Sequence, residues 1–257
     1  MLQVNALSKS YRGLPAIDNV SFRVGAGEIV GYVGPNGSGK STTVKIVTGL
    51  LEPSDGQVLF EGESIRNNLQ GYRDAFGYVP EEAHVYTHLS GLEYLQLVGR
   101  LRNMPEALID LKANRFLSLF GLESWRYSPI SLYSKGMKQR ILIAAALLHD
   151  PKLLIFDEPL SGLDVVSARL FKDLLQQLAA QGKAVLYISH VLEVVELVCH
   201  RVIVIAKGKI LADAPPSELK TSLALANLES VFAQLVQQQD TEIVAREFVD
   251  IMAVRHV

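Results

Sequence analysis

The segment "GPNGSGKS" at positions 34–41 constrains this chain more than any other. It fits the pattern G-x-x-x-x-G-K-[ST], in which the exposed backbone N–H groups of a tight loop surround the phosphates of a nucleotide. Glycine lacks a Cβ atom, so such a loop can take positive φ angles and approach phosphate oxygens closely. We expect the nucleotide to contact this loop and the residue after it: Gly34, Pro35, Asn36, Gly37, Ser38, Gly39, Lys40, Ser41 and Thr42.

The flanking sequence favours a phosphate site over a surface turn that is merely rich in glycine. "EIVGYV" before the loop is typical of a buried strand, and "STTVKIVTGLL" after it is typical of a helix that ends near Gly49. The helix would begin at about Lys40 and direct its positive dipole end, together with the lysine ammonium, toward phosphate. The Ser41 hydroxyl is then placed to bind a Mg²⁺ ion that the phosphates share.

Two acidic residues follow another apolar strand, in "LLIFDEP" at positions 153–159. Ligands of open α/β sheets bind at the carboxyl ends of the strands. Because adjacent side chains of a strand point in opposite directions, the two acids would have different tasks. We predict that Asp157 holds Mg²⁺ and that Glu158 orients and deprotonates the attacking water, with Lys40 also catalytic. The alternative, an acid pair that only caps a helix, is much weakened by the phosphate loop.

The order of apolar segments predicts an α/β fold with a mainly parallel sheet and an antiparallel β subdomain. Alternating strands open the chain. Near-continuous apolar strands, "KLLIFDEP", "AVLYISH" and "RVIVIAKGKIL", return after residue 150, as expected for strands buried on both faces of a sheet. Helical periodicity replaces the strand pattern in between. We therefore predict a core formed by residues 1–82 and 151–215, interrupted by a helical insertion at 83–150.

Residues 216–257 are predicted to form a C-terminal helical extension. Leu225, Leu228, Phe232 and Leu235 recur at helical spacing and form one apolar stripe. We expect this stripe to pack back on its own domain. A contact with a second copy or another partner is the alternative.

Composition excludes several classes of protein. The chain has 25 basic and 27 acidic residues without a basic cluster, so no nucleic-acid partner is expected. The single cysteine, Cys199, rules out a disulfide framework and favours a reducing compartment. The longest apolar run, "ILIAAALL", is far shorter than the roughly 20 residues of a membrane-spanning helix, and the start of the chain does not resemble a secretory signal. We expect a soluble cytoplasmic protein.

The segment "SLYSKGMKQR" at 131–140 resembles the signature of ATP-binding-cassette (ABC) ATPases, usually L-S-G-G-Q. Other landmarks of that family follow in its usual order. They are an aromatic residue at Tyr11, the phosphate loop, a loop "YVPEEAHVYTHLS" at 78–90, the signature, Asp157 and Glu158, "SGLD" at 161–164, and a histidine, His190, in "LYISH". The resemblance covers residues 1–215 and identifies the region as an ABC ATPase domain.

The resemblance implies roles for several side chains that their residue types and spacing alone do not indicate. Tyr11 would stack on adenine, and His190 would hydrogen-bond the γ-phosphate as a catalytic residue. Ser134 and Gly136 would face the γ-phosphate of an ATP bound to a second ATPase subunit, which implies a head-to-tail homodimer around two ATP molecules. Asp164 would help couple the two sites.

Three positions depart from the family pattern. The usual glutamine of the 78–90 loop is replaced by Glu81, which we expect to contact Mg²⁺ or water as a carboxylate. Lys135 replaces a glycine of the signature and Met137 a glutamine, so contacts there would differ.

The family also implies an integral membrane permease as partner, and hence a peripheral location on the cytoplasmic face of the membrane. We expect its docking surface to involve residues from about Ala83 to Arg100, with Tyr86 and Leu89 lining it. "VPEE" at 79–82 and "ANLESVFAQL" at 226–235 resemble the ATPase subunits of exporters whose permease is a separate polypeptide.

Two other functions stay open at this point. A soluble ABC ATPase that acts on ribosomes or DNA is the first, but the chain lacks the second cassette, coiled coil or basic patch that such proteins carry. A phosphate-loop kinase or GTPase is the second, and it offers no reason for the signature.

Overall fold

The fold is described from a computed structural model, which covers residues 1–82, 84–223 and 225–236. Its strands are β1 (Leu2–Tyr11), β2 (Leu14–Val24), β3 (Ile29–Val33), β4 (Asp55–Phe60), β5 (Glu63–Ser64), β6 (Phe76–Val79), β7 (Leu153–Asp157), β8 (Ala184–Ile188), β9 (Arg201–Ala206) and β10 (Lys209–Ala214). Its α-helices are α1 (Lys40–Val47), α2 (Leu69–Ala75), α3 (Gly91–Leu101), α4 (Glu106–Leu119), α5 (Lys135–Leu147), α6 (Val165–Ala180), α7 (Leu192–Val198), α8 (Pro216–Leu223) and α9 (Leu228–Val236).

The strands form two sheets. The larger has the order β10-β9-β3-β8-β7-β6, and every pairing in it is parallel except that of β10 with β9. The smaller, β2-β1-β4-β5, is antiparallel throughout. These are the mainly parallel sheet and the antiparallel subdomain that the sequence predicts.

The central strands of the larger sheet are buried on both faces. In β7, Leu153 and Ile155 contribute to one apolar core, shared with α1, α2 and the smaller sheet, while Leu154 and Phe156 contribute to the other, shared with α5, α6 and α7. This alternation explains why their sequences are apolar without interruption.

One part of the strand prediction is wrong. "RVIVIAKGKIL" is not a single buried strand, because the chain turns at positions 207–208 and returns antiparallel as β10. Residues along β10 alternate between exposed and half-buried, as expected for the edge of a sheet. The turn needs Gly208, whose φ is +77°.

Helices α3, α4 and α5 lie between β6 and β7 in the chain and pack against one another. Ser90 begins α3 with a capping box, in which its hydroxyl accepts from Glu93 N and the Glu93 carboxylate accepts from Ser90 N. These helices account for the helical pattern predicted between the two halves of the core. Ala83, the first residue of the predicted insertion and of the predicted permease surface, lies outside the described residues.

In the C-terminal segment, Leu228 is fully buried, and Leu225, Phe232 and Leu235 pack half-buried against the main core. The predicted apolar stripe therefore packs on its own domain. Glu196 of α7 fixes it, because its carboxylate accepts from Lys220 Nζ at 2.6 Å and from Leu228 N at 2.9 Å. Residues 237–257 of the predicted extension lie outside the described part of the chain. The helices that the structure describes include none with the length and apolar character needed to cross a bilayer.

Candidate active site

The phosphate loop connects β3 to α1 at the carboxyl end of the larger sheet. Gly34 has no room for a side chain, because an added Cβ would lie 2.3 Å from Ile205 O. Gly39 has a φ of +109°, and an added Cβ would lie 2.7 Å from Ala16 O. These close approaches explain the two glycines of the motif and fix the loop against β9 and β2.

Lys40 folds back over the loop that precedes it. Its ammonium donates to Gly34 O at 2.7 Å and to Pro35 O at 3.0 Å. Burial lowers the pKa of Lys40, while the carboxylates of Glu158, Asp157 and Glu81 act in the opposite direction. The Lys40 ammonium is thus held by the loop carbonyls, and the carboxylates of Glu158, Asp157 and Glu81 partly balance its charge.

Asp157 is the last residue of β7 and is almost completely buried. Burial is the main reason that its pKa rises to about 7, and repulsion from Glu81 and Glu158 adds to the shift, which Lys40 partly opposes. Asp157 is buried beside two other acids, so its ionised form would be stabilised by a cation bound in the site.

Glu158 directly follows Asp157 and has a left-handed backbone (φ +49°). Its Oε1 accepts from His190 N at 2.8 Å and lies 2.7 Å from His190 Nδ1. Its Oε2 accepts from Ser189 Oγ at 3.1 Å. The Glu158 side chain is only 10% exposed, whereas that of His190 is 75% exposed.

These groups meet in one cavity of about 200 Å³. The predicted site residues that line it come from the phosphate loop, the 78–90 loop, the end of β7 and the end of β8: Asn36, Gly37, Gly39, Lys40, Ser41, Thr42, Glu81, Asp157, Glu158 and His190. Four segments distant in sequence thereby present a cation, three carboxylates and a histidine to one space.

Seven other predicted residues do not line this cavity: Gly34, Pro35 and Ser38 of the phosphate loop, and Tyr11, Ser134, Gly136 and Asp164. Tyr11 ends β1 with its side chain about half exposed, and the Lys9 ammonium lies 5.8 Å from its ring centroid. Ser134 caps α5, where its hydroxyl accepts from Met137 N at 3.2 Å. Asp164 caps α6, accepting from Ser167 N at 2.9 Å and Ser167 Oγ at 2.7 Å, and these bonds lower its pKa.

The signature and the "SGLD" loop form one surface. A Cβ added to Gly136 would lie 2.4 Å from Gly162 O, so glycine is required there for packing within the chain. The Lys135 stem covers Gly162 from the other side, since a Cβ on Gly162 would lie 2.9 Å from Lys135 Cγ. Ser134 and Asp164 are both exposed beside this contact.

Three residues at or beside the cavity are not predicted from the sequence alone. Ser189 bonds Glu158, Ala16 lines the cavity, and Gly208 N donates to Ser38 O at 3.0 Å behind the phosphate loop. Only Ser189 carries a sequence signal, because it immediately precedes the predicted His190. The other two reach the site through the pairing of strands.

The donor set fits a hard divalent cation. Carboxylates and a hydroxyl line the cavity, and these oxygen ligands are the ones that Mg²⁺ prefers. Over the described ranges, no three acid, histidine or cysteine side chains group closely enough to hold a metal unaided. Mg²⁺ bound here would therefore depend on phosphate oxygens as further ligands, which is its usual behaviour.

The parallel sheet, the loop before α1 and the acids at the end of β7 define a phosphate-loop nucleoside triphosphatase. The family within that class is given by comparison with known proteins. Residues 17–161 match the family described as ABC transporter. This chain belongs to that family and is an ATP-binding, ATP-hydrolysing ABC subunit.

Relatives and solved structures agree. The chain is 38% identical over 212 residues to the uncharacterized ABC transporter ATP-binding protein YhcH of Bacillus subtilis, covering 82% of this chain and 68% of that protein. It is 35% identical over 221 residues to Nod factor export ATP-binding protein I of Paraburkholderia xenovorans, covering 86% of this chain and 73% of that protein.

Among solved structures, an ATP-binding subunit of an ABC transporter superposes with a TM-score of 0.86 at 32% identity, covering 91% of this chain and 99% of the other. The cassette MJ0796, as a post-hydrolysis dimer bound to ADP and Pi, superposes with a TM-score of 0.77 at 26% identity, covering 84% and 98%. The predicted fold class and ATPase activity are confirmed by these matches.

Proposed function

We propose that two copies of this chain close around two ATP molecules and thereby drive a membrane exporter. One observation carries the proposal: the site residues form two separate groups. The phosphate loop, Asp157, Glu158 and His190 share a cavity, whereas Ser134 and Asp164 are exposed outside it. A second copy placed head to tail would bring its exposed group to this cavity. The dimeric state of the MJ0796 cassette supports that arrangement.

In this proposal each side chain has a defined task. The loop amides and Lys40 hold the phosphates, and Tyr11 stacks on adenine. Ser41, Asp157 and Glu81 hold Mg²⁺, which supplies charge neutralisation at the phosphates when it is bound. Glu158 takes a proton from the attacking water, and His190 hydrogen-bonds the γ-phosphate.

The Glu158 pairing with His190 supports a switch between two states. In this structure His190 Nδ1 is bound to Glu158, but its largely exposed ring is free to turn toward a phosphate. Ser134 and Gly136 of the second copy would complete the γ-phosphate site, and Asp164 beside them would couple it to the other one. Binding closes the dimer because ATP contacts both chains, and hydrolysis removes that link.

A groove between α2, α3 and α5 supports the permease partner. It has a volume of about 380 Å³, and its lining is mainly apolar with two arginines, Arg73 and Arg102. Leu50 and Leu101 at the groove are 64% and 66% exposed, so the groove presents apolar surface to solvent. The groove includes Tyr94 from the predicted surface, whereas Tyr86 and Leu89 do not line it. A permease helix seated there would place this subunit on the cytoplasmic face of the membrane.

Export is supported by the name of one relative, which concerns Nod factor export, and by the C-terminal segment noted above. Affinity purification of the tagged chain from detergent-solubilised membranes tests the partner. We expect a polypeptide with several membrane-spanning segments to co-purify, and Leu101→Asp to abolish its recovery. Equal recovery with this variant would contradict the groove.

The ATPase part is tested with Glu158→Gln, which removes the base and leaves the phosphate contacts. We expect it to retain ATP affinity, lose turnover, and accumulate dimers in gel filtration with ATP and Mg²⁺. Glu82→Gln, an exposed neighbour of the site, is the matched control and should behave like the wild type. Only monomers of Glu158→Gln at saturating ATP would contradict the proposal.

A further inference from the structure

Ser189 lies behind the proposed base rather than in the nucleotide cavity. It follows β8 directly and is 2% exposed. Within the described part of the chain, the hydrogen bonds to the Glu158 carboxylate come from Ser189 and His190. The carboxylate is therefore oriented by a two-residue segment of a neighbouring strand end.

The Ser189 hydroxyl donates to Glu158, because an ionised carboxylate can only accept, and it also accepts a second bond. Val191 N donates to Ser189 Oγ at 3.1 Å, so this oxygen acts as an acceptor there. A hydroxyl has only one proton to donate. That proton is left for Glu158 Oε2, which lies 3.1 Å away.

The two anchors of the carboxylate differ in freedom. The His190 ring is 75% exposed and, in the proposed function, leaves Oε1 for the γ-phosphate. Ser189 is buried and its hydroxyl accepts from Val191 N, so the hydroxyl stays in place when the His190 ring moves. Oε2 then keeps its bond to Ser189, and Oε1 keeps its bond from His190 N. Oε1 loses only its ring partner, so it is the oxygen that can accept a proton from water.

We propose that Ser189 is a positioning residue for ATP hydrolysis, which holds Glu158 Oε2 so that Oε1 faces the attacking water once His190 has turned away. The inference rests on the proposed role of Glu158 as the base. It assigns Ser189 no contact with ATP, so its loss should slow the chemical step and leave nucleotide binding intact.

The test is Ser189→Ala in the full-length purified protein. We expect kcat to fall roughly tenfold, since a bond to a charged group is lost and the base is less well placed. The KM for ATP and the equilibrium affinity for ATP should stay within about twofold. Ser189→Thr, which keeps the hydroxyl, should restore most of kcat. Ser189→Cys keeps the packing with a weak donor and should resemble Ser189→Ala, which covers the case in which the alanine variant folds poorly.

Ser118→Ala is the control. Ser118, in α4, is also a serine whose hydroxyl donates to a glutamate, at 3.4 Å from Glu123 Oε2, and it lines neither the nucleotide cavity nor the predicted permease surface. Its ATPase activity should equal that of the wild type. A wild-type kcat in Ser189→Ala or Ser189→Cys, or an equal loss in Ser118→Ala, would overturn the inference.

Single-turnover rates in a Glu158→Ala background separate the inference from the proposal beneath it. If Ser189 acts through Glu158, adding Ser189→Ala there should change the residual rate less than twofold. A tenfold further loss would mean that Ser189 acts otherwise and would overturn the inference alone. Wild-type turnover in Glu158→Ala itself would overturn the role of the base, and the inference with it.

Discussion

The Lys40→Ala substitution tests the charge balance of the nucleotide cavity. Among the described residues, Lys40 is the only lysine or arginine that lines it, and it shares the cavity with the carboxylates of Glu81, Asp157 and Glu158. Without it the lysine, arginine and acidic side chains described in the cavity would all be acidic, and the cavity would still have to accept a polyphosphate. The Gly34 and Pro35 carbonyls would also lose the ammonium that holds them.

The size of the effect follows from Coulomb's law. A unit charge about 5 Å from the lysine interacts with it by about 3 kcal/mol at an effective dielectric constant near 20. Taking a single phosphate charge as the minimum, ATP binding should weaken by about 3 kcal/mol, or roughly 150-fold. The free energy of unfolding should change by only about 1 kcal/mol, because loss of the carbonyl contacts is offset by release from the burial that lowers the pKa of Lys40.

A titration with a fluorescent ATP analogue in excess Mg²⁺ measures this loss. Lys45→Ala is the matched control, because Lys45 belongs to the same helix, is exposed and does not line the cavity. A folded Lys40→Ala protein that binds within threefold of the wild type would refute the reasoning.

Three further predictions concern other parts of the molecule. Gly136→Ala places a Cβ 2.4 Å from Gly162 O. We expect ATPase activity to fall about tenfold or more while the ATP affinity of the monomer stays unchanged, and unchanged turnover would contradict the packing argument. Tyr11→Ala should weaken ATP binding about tenfold through loss of stacking, measured by the same titration, and an unchanged affinity would remove Tyr11 from the site. Burial, aided by Arg102, lowers the pKa of His149 from 6.5 to about 4, so the unfolded chain binds a proton between those pH values and the folded protein does not. As the pH falls from 6.5 to 4, the free energy of unfolding should therefore decrease by about 1–2 kcal/mol more in the wild type than in His149→Asn, a value that is reduced because the ring is partly exposed. Urea unfolding at several pH values measures this difference. An equal pH dependence in the two proteins would exclude the contribution of His149.

The sequence predicts those parts of the molecule that are recognisable from residues adjacent in the chain. The phosphate loop is one continuous motif and can be recognised from adjacent residues, although the contacts that require Gly34 and Gly39 come from β9 and β2. Asp157 and Glu158 are predictable because a buried strand and its acidic end are adjacent in the chain. The turn at Gly208 is not, because apolar residues continue on both sides of it, and only strand pairing shows that β10 is an edge strand.

The remaining contacts depend on the order of strands in the sheet. Ser189 meets Glu158 because β7 and β8 are parallel neighbours, with Asp157 opposite Ile188. Gly162 meets Gly136 because the loop before α6 returns to the start of α5. No spacing along the chain encodes these pairs, so they become visible only in three dimensions.

Subunit mixing tests the central claim, that each ATP site is shared between two chains, most directly. Lys40→Ala damages the phosphate loop, and Ser134→Arg damages the exposed signature, so each protein alone should be inactive. A mixed dimer would contain one intact site, formed by the loop of one chain and the signature of the other. With random pairing of equal amounts, we expect about a quarter of the wild-type ATPase activity to return. Activity that stays at the sum of the two separate proteins would contradict the shared site.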